Sequence, residues 1–271
     1  MVRSLWSGAT GMLAQQTAVD TISNNIANVN TVGYKTSQIE FKSLLYQELQ
    51  TKTTTANGDP KPIDSQVGLG VRSSSITTIF RQGSFQEADS NSSFAISGQG
   101  FFAVQLADKS VGYTRNGDFH WATTSNGMEL TDSEGNAVLD SKGQPIRFTG
   151  EYTTSKITIT EDGKFMYPDE ANNPKDMGPQ IGLWQFNNPA GLEKQGGSIY
   201  LETEASGKPL NEFTNNNLEK SKVVQGYIEM SNVQLADEMV NLIVAQRAYE
   251  ANSRVITTTD TMMQQANQLK Q

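Results

Sequence analysis

Any side-chain chemistry in this chain would have to start at His120, its only histidine. His120 sits in Asp118-Phe119-His120-Trp121, an aromatic run that follows an Asn-Gly pair and has the look of a strand after a turn. A hydrolytic triad or a histidine-based metal site needs two or more converging groups, and none accompanies it, so His120 is assigned a structural role. Gly68-Leu69-Gly70 and Gly98-Gln99-Gly100 each contain G-x-G. Neither completes G-x-G-x-x-G or opens a helix, so both mark turns rather than phosphate sites. Asp132-Ser133-Glu134-Gly135-Asn136 superficially suggests a calcium loop, but its glycine is misplaced and no glutamate closes it at the required spacing. It is expected to be a hairpin tip. Acidic pairs such as Asp169-Glu170 are solvated loop charges. No catalytic residue, cofactor-binding residue or metal ligand is therefore assigned, and no cofactor is expected.

Composition excludes further classes. With 36% hydrophobic and 18% charged residues, the 271-residue chain has the make-up of a soluble protein of one large domain or two to three small ones. The net charge of −8 and the lack of a basic stripe argue against a nucleic-acid partner. No stretch approaches the ~20 apolar residues of a membrane span. Met1 to Trp6 has one basic residue and lacks the basic head and apolar run of a secretory signal. Cysteine is absent, which removes disulfide and thiolate chemistry.

The strongest pattern lies at the two ends. Leu5, Ala9, Met12, Gln16, Val19, Ser23 and Ile26 recur at alternating four- and three-residue steps, as do Leu235, Met239, Leu242, Gln246, Tyr249, Ser253, Ile256, Asp260 and Met263. Trp6, Leu13, Ile22 and Val29 flank the first seam, and Val244, Ala248, Ala251, Val255, Met262 and Leu269 form another stripe on the second. Each helix is thus apolar on more than one side, and one intramolecular partner cannot cover it. The first helix is expected to fray near Asn24-Asn25 and to be over by Gly33. The second is expected to start with a Ser231 to Gln234 capping box, with Asp237 and Glu238 at the positive end of its dipole.

Between the ends the chain changes character. After an apolar patch at Phe41, Leu44, Leu45 and Leu49, residues 50–66 turn polar and rich in Thr, Asn, Gly and Pro, which predicts an extended loop. Beyond Gly70, short β-rich runs appear at Ile76 to Phe80, Phe101 to Leu106, Ile157 to Thr160 and Ile181 to Phe186. Asn116-Gly117, Asn126-Gly127, Glu134-Gly135, Lys142-Gly143 and Asp162-Gly163 mark tight turns between them. The predicted fold is a mainly β body, sandwich- or barrel-like, with an α-helical coiled-coil stem made from both termini. The stem takes residues 1–34 with 231–271, an extended linker and stiffening segment takes 35–75, and a β-rich outer domain takes 76–230.

Five runs carry a family resemblance. Ser23-Asn24-Asn25-Ile26-Ala27-Asn28-Val29-Asn30-Thr31-Val32-Gly33-Tyr34-Lys35 resembles the signature of the bacterial flagellar axial proteins, the rod and hook subunits. Gly98 to Phe102, Tyr113 to Phe119 and Gly226 to Val233 resemble internal motifs of that family, and Gln246 to Asp260 is similar to the closing run of its distal-rod branch. The signature residues are Asn24, Asn25, Ala27, Asn28, Thr31, Gly33, Tyr34 and Lys35. The resemblance implies a structural subunit, not an enzyme, that polymerises into a helical tubular drive shaft carrying motor torque to the hook. It also implies export through the flagellar type III apparatus without a cleavable signal, and location in the basal body within the cell envelope. Its partners would be other copies of itself, other rod proteins, hook subunits and surrounding ring proteins. The segment from Tyr46 to Val67 resembles the stretch thought to lock neighbouring distal-rod subunits. Leu5, Trp6, Met12, Val19 and Ile26, with Leu242, Ile243, Tyr249, Ile256 and Met263, are the expected subunit contacts. Asn24, Asn25 and Asn28 have side chains suited to satisfying backbone groups where the helix breaks, and Gly33 suits a turn that a Cβ forbids. The alternatives are a proximal rod or hook subunit of the same family, a surface binding module on a helical stalk, and an envelope enzyme built on His120.

Overall fold

A computed structural model of the chain describes residues 2–50, 65–124, 127–150, 152–169, 173–215 and 218–269. It is mainly β, with a helix at each end, and its residues group into two compact units. The polar run expected to stiffen the assembly, Thr51 to Pro62, lies outside the described residues.

The first unit gathers both helices and residues 37–77. Helix α1 spans Val2–Ala27 and helix α2 spans Leu235–Gln268. They run antiparallel: Ser4 Oγ lies 3.3 Å from Thr259 Oγ1, while Gly11, farther along α1, packs on Asn252. The line of closest approach consists of small residues. Gly8, Gly11, Ala14, Ala18, Thr21 and Asn25 are the buried residues of α1, and Glu238, Ala245 and Thr259 are those of α2. An added Cβ would stand 3.0 Å from Ile256 Cγ1 at Gly8 and 2.7 Å from Asn252 Nδ2 at Gly11. The α1 seam is thus rotated by one residue, about 100°, from the Leu5-Met12-Val19-Ile26 line expected from the bulky residues. Apolar periodicity marks where large side chains lie, whereas two backbones approach most closely where side chains are small. The remainder of this unit is two antiparallel ribbons, Ser37–Ser43 with Val71–Thr78 and Tyr46–Gln50 with Ser65–Gly68.

Two expected helix ends differ from what is observed. Helix α1 does not fray at Asn24-Asn25 but continues to Ala27, because the Asn25 amide is used on another segment instead of its own backbone. Ser231 does not cap α2. The helix starts at Leu235 with Gln234 preceding it and no side-chain cap, while Ser231 Oγ accepts from the Val233 amide at 3.2 Å. Asp237 and Glu238 do occupy the first turn of α2.

The second unit takes residues 28–36 and 78–233. Among the described residues its main sheet has ten antiparallel strands, with Phe101–Gln105 near the centre between Ala137–Val138 and Val111–Thr114. Thr158–Ile159, Lys164–Pro168 and Pro174–Gln180 form a second sheet, and Phe94–Ser97 pairs with Lys222–Gln225. Neighbouring residues Phe101 and Phe102 belong to different apolar clusters, as alternation along a strand requires. Phe102 packs with Phe94, Phe119, Leu130, Ile146, Phe165 and Ile181, and Phe101 with Tyr113, Phe186 and Tyr200. The expected turns form at Glu134-Gly135, Lys142-Gly143 and Asp162-Gly163, where the amides of Gly135, Gly143 and Gly163 donate to the carbonyls of Asp132, Asp140 and Thr160. Asn116-Gly117 is not a hairpin turn. It is pressed against Phe94, whose amide donates to the Gly117 carbonyl, and a Cβ on Gly117 would lie 1.6 Å from Phe94 O.

Candidate assembly surface and signature cluster

The residues expected to make subunit contacts fall into two groups. Leu5, Met12, Val19, Ile26, Leu242, Ile256 and Met263 are half-buried beside the close seam of the helix pair. Trp6, Ile243 and Tyr249 are open, at 64%, 55% and 42% exposure. Leu13, Met239, Val240, Val244 and Val255 are open as well. A groove of about 390 Å³ runs past Gln16, Val19, Gln246, Tyr249 and Glu250 on the same pair. Burying apolar surface is worth roughly 25 cal/mol per Å², and isolated helices are marginal without such packing. The pair alone therefore leaves much of the available stabilisation unrealised.

The signature residues follow a different logic. Asn25, buried on α1, donates from Nδ2 to the Ser37 carbonyl at 2.8 Å and accepts the Ser37 amide on Oδ1 at 2.9 Å. Its amide thereby stands in for a neighbouring strand. After the helix, the Thr31 hydroxyl donates to Asn28 Oδ1 at 3.1 Å and the Gly33 amide donates to the Glu229 carbonyl at 2.8 Å. Gly33 has φ +69°, and a Cβ there would stand 2.5 Å from the Asn116 nitrogen, so the turn does require glycine. Asn28, Thr31 and Tyr34 line a cleft of about 500 Å³ in the second unit, with Asp118, Glu134 and Lys194 also on its walls. Asn24, Ala27 and Thr31 are exposed.

Lys35 lies at the centre of a buried charge cluster. Its Nζ meets Glu229 Oε1 at 2.5 Å and the Arg81 carbonyl at 3.0 Å, and both charged side chains are fully buried. Arg115 Nη1 reaches Glu229 Oε2 at 3.2 Å, Nη2 reaches the Gly98 carbonyl at 2.8 Å, and the guanidinium lies 5.0 Å from the centroid of the Phe101 ring. The Gly83 amide also donates to Glu229 Oε1, at 2.8 Å. Burial pushes the Lys35 ammonium below its ordinary pKa and Glu229 pulls it back up; Arg115 behaves in the same way. Removing one partner from such a pair leaves an uncompensated buried charge at a cost of about 3–5 kcal/mol. Next to it, Asn232 Oδ1 accepts from the Thr36 amide at 2.8 Å and the Thr36 hydroxyl at 2.6 Å, while its Nδ2 donates to the carbonyls of Ile79 and Arg81.

Three of the sequence motifs thus converge on one point. Lys35 comes from the signature, Arg115 from the Tyr113 to Phe119 run, and Glu229 and Asn232 from the Gly226 to Val233 run. Sequence reasoning assigned Arg115, Glu229 and Asn232 no role. The available signal was their setting, since Arg115 and Glu229 are charges inside otherwise strand-like runs, where a charge needs a partner. Gly98-x-Gly100 is also explained: Gly98 supplies a carbonyl to Arg115, and the Gly100 amide donates to Ser221 Oγ at 3.0 Å. His120 is exposed on the strand His120–Thr124.

Comparison with known proteins shows the family. Residues 5–35 match the flagella basal body rod protein family, residues 95–167 the flagellar hook protein FlgE/F/G D1 domain, and residues 224–269 the flagellar basal body rod FlgEFG protein C-terminal family. The flagellar basal-body rod protein FlgG of Borreliella burgdorferi is 41% identical over 272 residues, spanning 100% of this chain and 99% of that one. FlgG of Buchnera aphidicola from Acyrthosiphon pisum is 39% identical, spanning 99% and 100%. FlgG of Bacillus subtilis is 36% identical over the full length of both chains. With 36–41% identity from end to end and three family matches in order along the chain, the protein belongs to the flagellar basal-body rod family, in its FlgG, distal-rod branch.

Proposed function

We propose that the chain is a structural subunit of the distal rod, packing through its terminal helices against copies of itself in a helical tube that transmits motor torque. The observation that carries this reading is the helix pair, whose small residues meet inside while Trp6, Leu13, Ile243 and Val244 remain more than half exposed. Head-to-tail contacts of one surface on another propagate as an open helix, which suits a shaft. In this reading residues 1–34 with 231–271 form the inner stem, 35–75 the stiffening segment and 76–230 the outer body. The role is mechanical, with no catalytic step. Other rod proteins, hook subunits and ring proteins are its further partners, and the flagellar type III apparatus exports it without a cleavable signal to the basal body. Family membership supports self-assembly and a place in the basal body.

The test is Val244→Asp combined with Ile243→Asp. Both side chains are exposed, so the isolated protein should keep its circular dichroism and thermal midpoint, while cells carrying the variant should lose motility and lack rods beyond the proximal segment. Normal swimming with this double variant would refute the helix pair as the assembly surface.

A further inference from the structure

The bonds around Lys35 join three stretches of chain that are far apart in sequence. Lys35 and Glu229 are 194 positions apart, and Lys35 and Arg81 are 46 apart. From Glu229, the carbonyl holds the Gly33 amide, Oε1 holds both Lys35 Nζ and the Gly83 amide, and Oε2 holds Arg115. From Asn232, the two amide atoms hold Thr36 on one side and the carbonyls of Ile79 and Arg81 on the other. The segment 28–36 contributes few apolar side chains of its own, namely Val29, Val32 and Tyr34. Its attachment to the body is therefore largely polar and passes through two residues that arrive last in chain order.

We propose that this cluster makes ordering of the signature segment conditional on the run from Glu229 to Asn232: Gly33 to Thr36, Ile79 to Gly83 and Glu229 to Asn232 close as one cooperative unit, with Glu229 as the bolt. The reason is electrostatic. Without Glu229, the Lys35 ammonium would be left in a dry site beside the like charge of Arg115, which already pushes its pKa down together with burial. The segment cannot close on that arrangement, and opening it to water is cheaper than burying an unpaired ammonium. A chain that has not yet delivered Glu229 and Asn232 therefore leaves its signature segment open, whatever the state of the β body. This coupling is independent of the assembly reading, because it concerns the folding of a single chain.

Native-state hydrogen exchange on the full-length protein tests it. The amides of Gly33, Thr36 and Gly83 should exchange through one shared opening, with the same denaturant dependence. In Glu229→Ala all three should speed up by at least about a hundredfold, while the amides of Leu130 and Leu139 in the main sheet should change less than about threefold. A Glu229→Ala protein in which Gly83 quickens but Thr36 does not would overturn the proposal. Should that variant fail to fold, Asn232→Ala removes no charge and makes no bond to Gly33. The cooperative unit requires it nonetheless to quicken Gly33 together with Thr36 by about tenfold, and an unchanged Gly33 would reject the coupling.

Discussion

Replacing Gly33 with alanine should be far more damaging than the same change at Gly135, and the difference isolates one physical term. Both glycines have left-handed backbones, φ +69° at Gly33 and +87° at Gly135. A Cβ on Gly135 would meet nothing within 4 Å, so Gly135→Ala pays only the conformational penalty of an L-residue there, about 1–2 kcal/mol. At Gly33 the same Cβ would stand 2.5 Å from Asn116 N, 2.8 Å from Arg115 C and 2.9 Å from Asn116 Cα. All three are backbone atoms, with no rotamer by which to yield. Displacing them adds an overpacking cost of about 1–3 kcal/mol, so Gly33→Ala should lose about 2–5 kcal/mol in all. Urea titration followed by the fluorescence of Trp121 and Trp184, both in the β body, gives the two values side by side. Gly33→Asn sharpens the comparison. Asparagine tolerates the left-handed backbone but carries the same Cβ, so it should recover part of the first term and none of the second. Equal losses at Gly33 and Gly135 would refute the close approach to Arg115-Asn116.

Three further outcomes follow from the geometry. Asn25→Ala removes both bonds to Ser37 from a buried site and should cost about 2–3 kcal/mol; Asn25→Asp, which sets an unpaired carboxylate against the Ser37 carbonyl, should cost at least as much at neutral pH, and a neutral Asn25→Ala would contradict the pairing. The paired variant Ser4→Cys/Thr259→Cys should form a disulfide within one chain under mild oxidation, because the native hydroxyls lie 3.3 Å apart; a product of doubled mass and no cross-linked monomer would show that the antiparallel pairing is not intramolecular. In Glu229→Gln, Lys35 loses the group that raises its pKa, so burial holds it further below the ordinary 10.5. Because the unfolded lysine then binds the proton more tightly than the folded one, stability rises with pH through that window. The deficit of the variant relative to wild type should shrink between pH 7 and pH 10, and a constant or widening gap in urea midpoints would contradict the assignment.

How much of this was legible in the sequence depended on which physical signal was available. The β body announced itself through short β-rich runs between turn residues: Phe101 to Leu106 and Ile181 to Phe186 enclose the strands Phe101–Gln105 and Leu183–Gln185. Most Gly-containing turns were correct because each needs a left-handed residue. Asn116-Gly117 failed for a tertiary reason, since its glycine is there to admit the Phe94 carbonyl. The helices were found by their apolar repeat, but the face was off by one residue, because bulky side chains dominate a periodicity count and Gly8, Gly11 and Ala14 contribute nothing to it. Gly33 was read correctly from its local role. The charge cluster was not readable at all as a cluster, because nothing in a single chain indicates that Lys35, Arg115 and Glu229 will meet across nearly 200 positions.

The rotated seam has a consequence for how this protein tolerates change. Inside the pair the limiting quantity is volume: at Gly8 an added Cβ would press on Ile256 Cγ1, and at Gly11 it would have to displace the Asn252 side chain. On the outer faces the limiting quantity is polarity, since Ile243 and Val244 have ample room but, in the proposed tube, must meet another apolar surface. The two kinds of failure are therefore separable by phenotype. Enlarging Gly11 should yield a chain that cannot pair its own ends, whereas charging Val244 should yield a well-folded subunit that its neighbours reject. A saturation scan of the two helices would then sort into two alphabets, one indexed by size and the other by charge, and the boundary between them would trace the helix faces that a rod subunit keeps for itself and those it offers to the next copy.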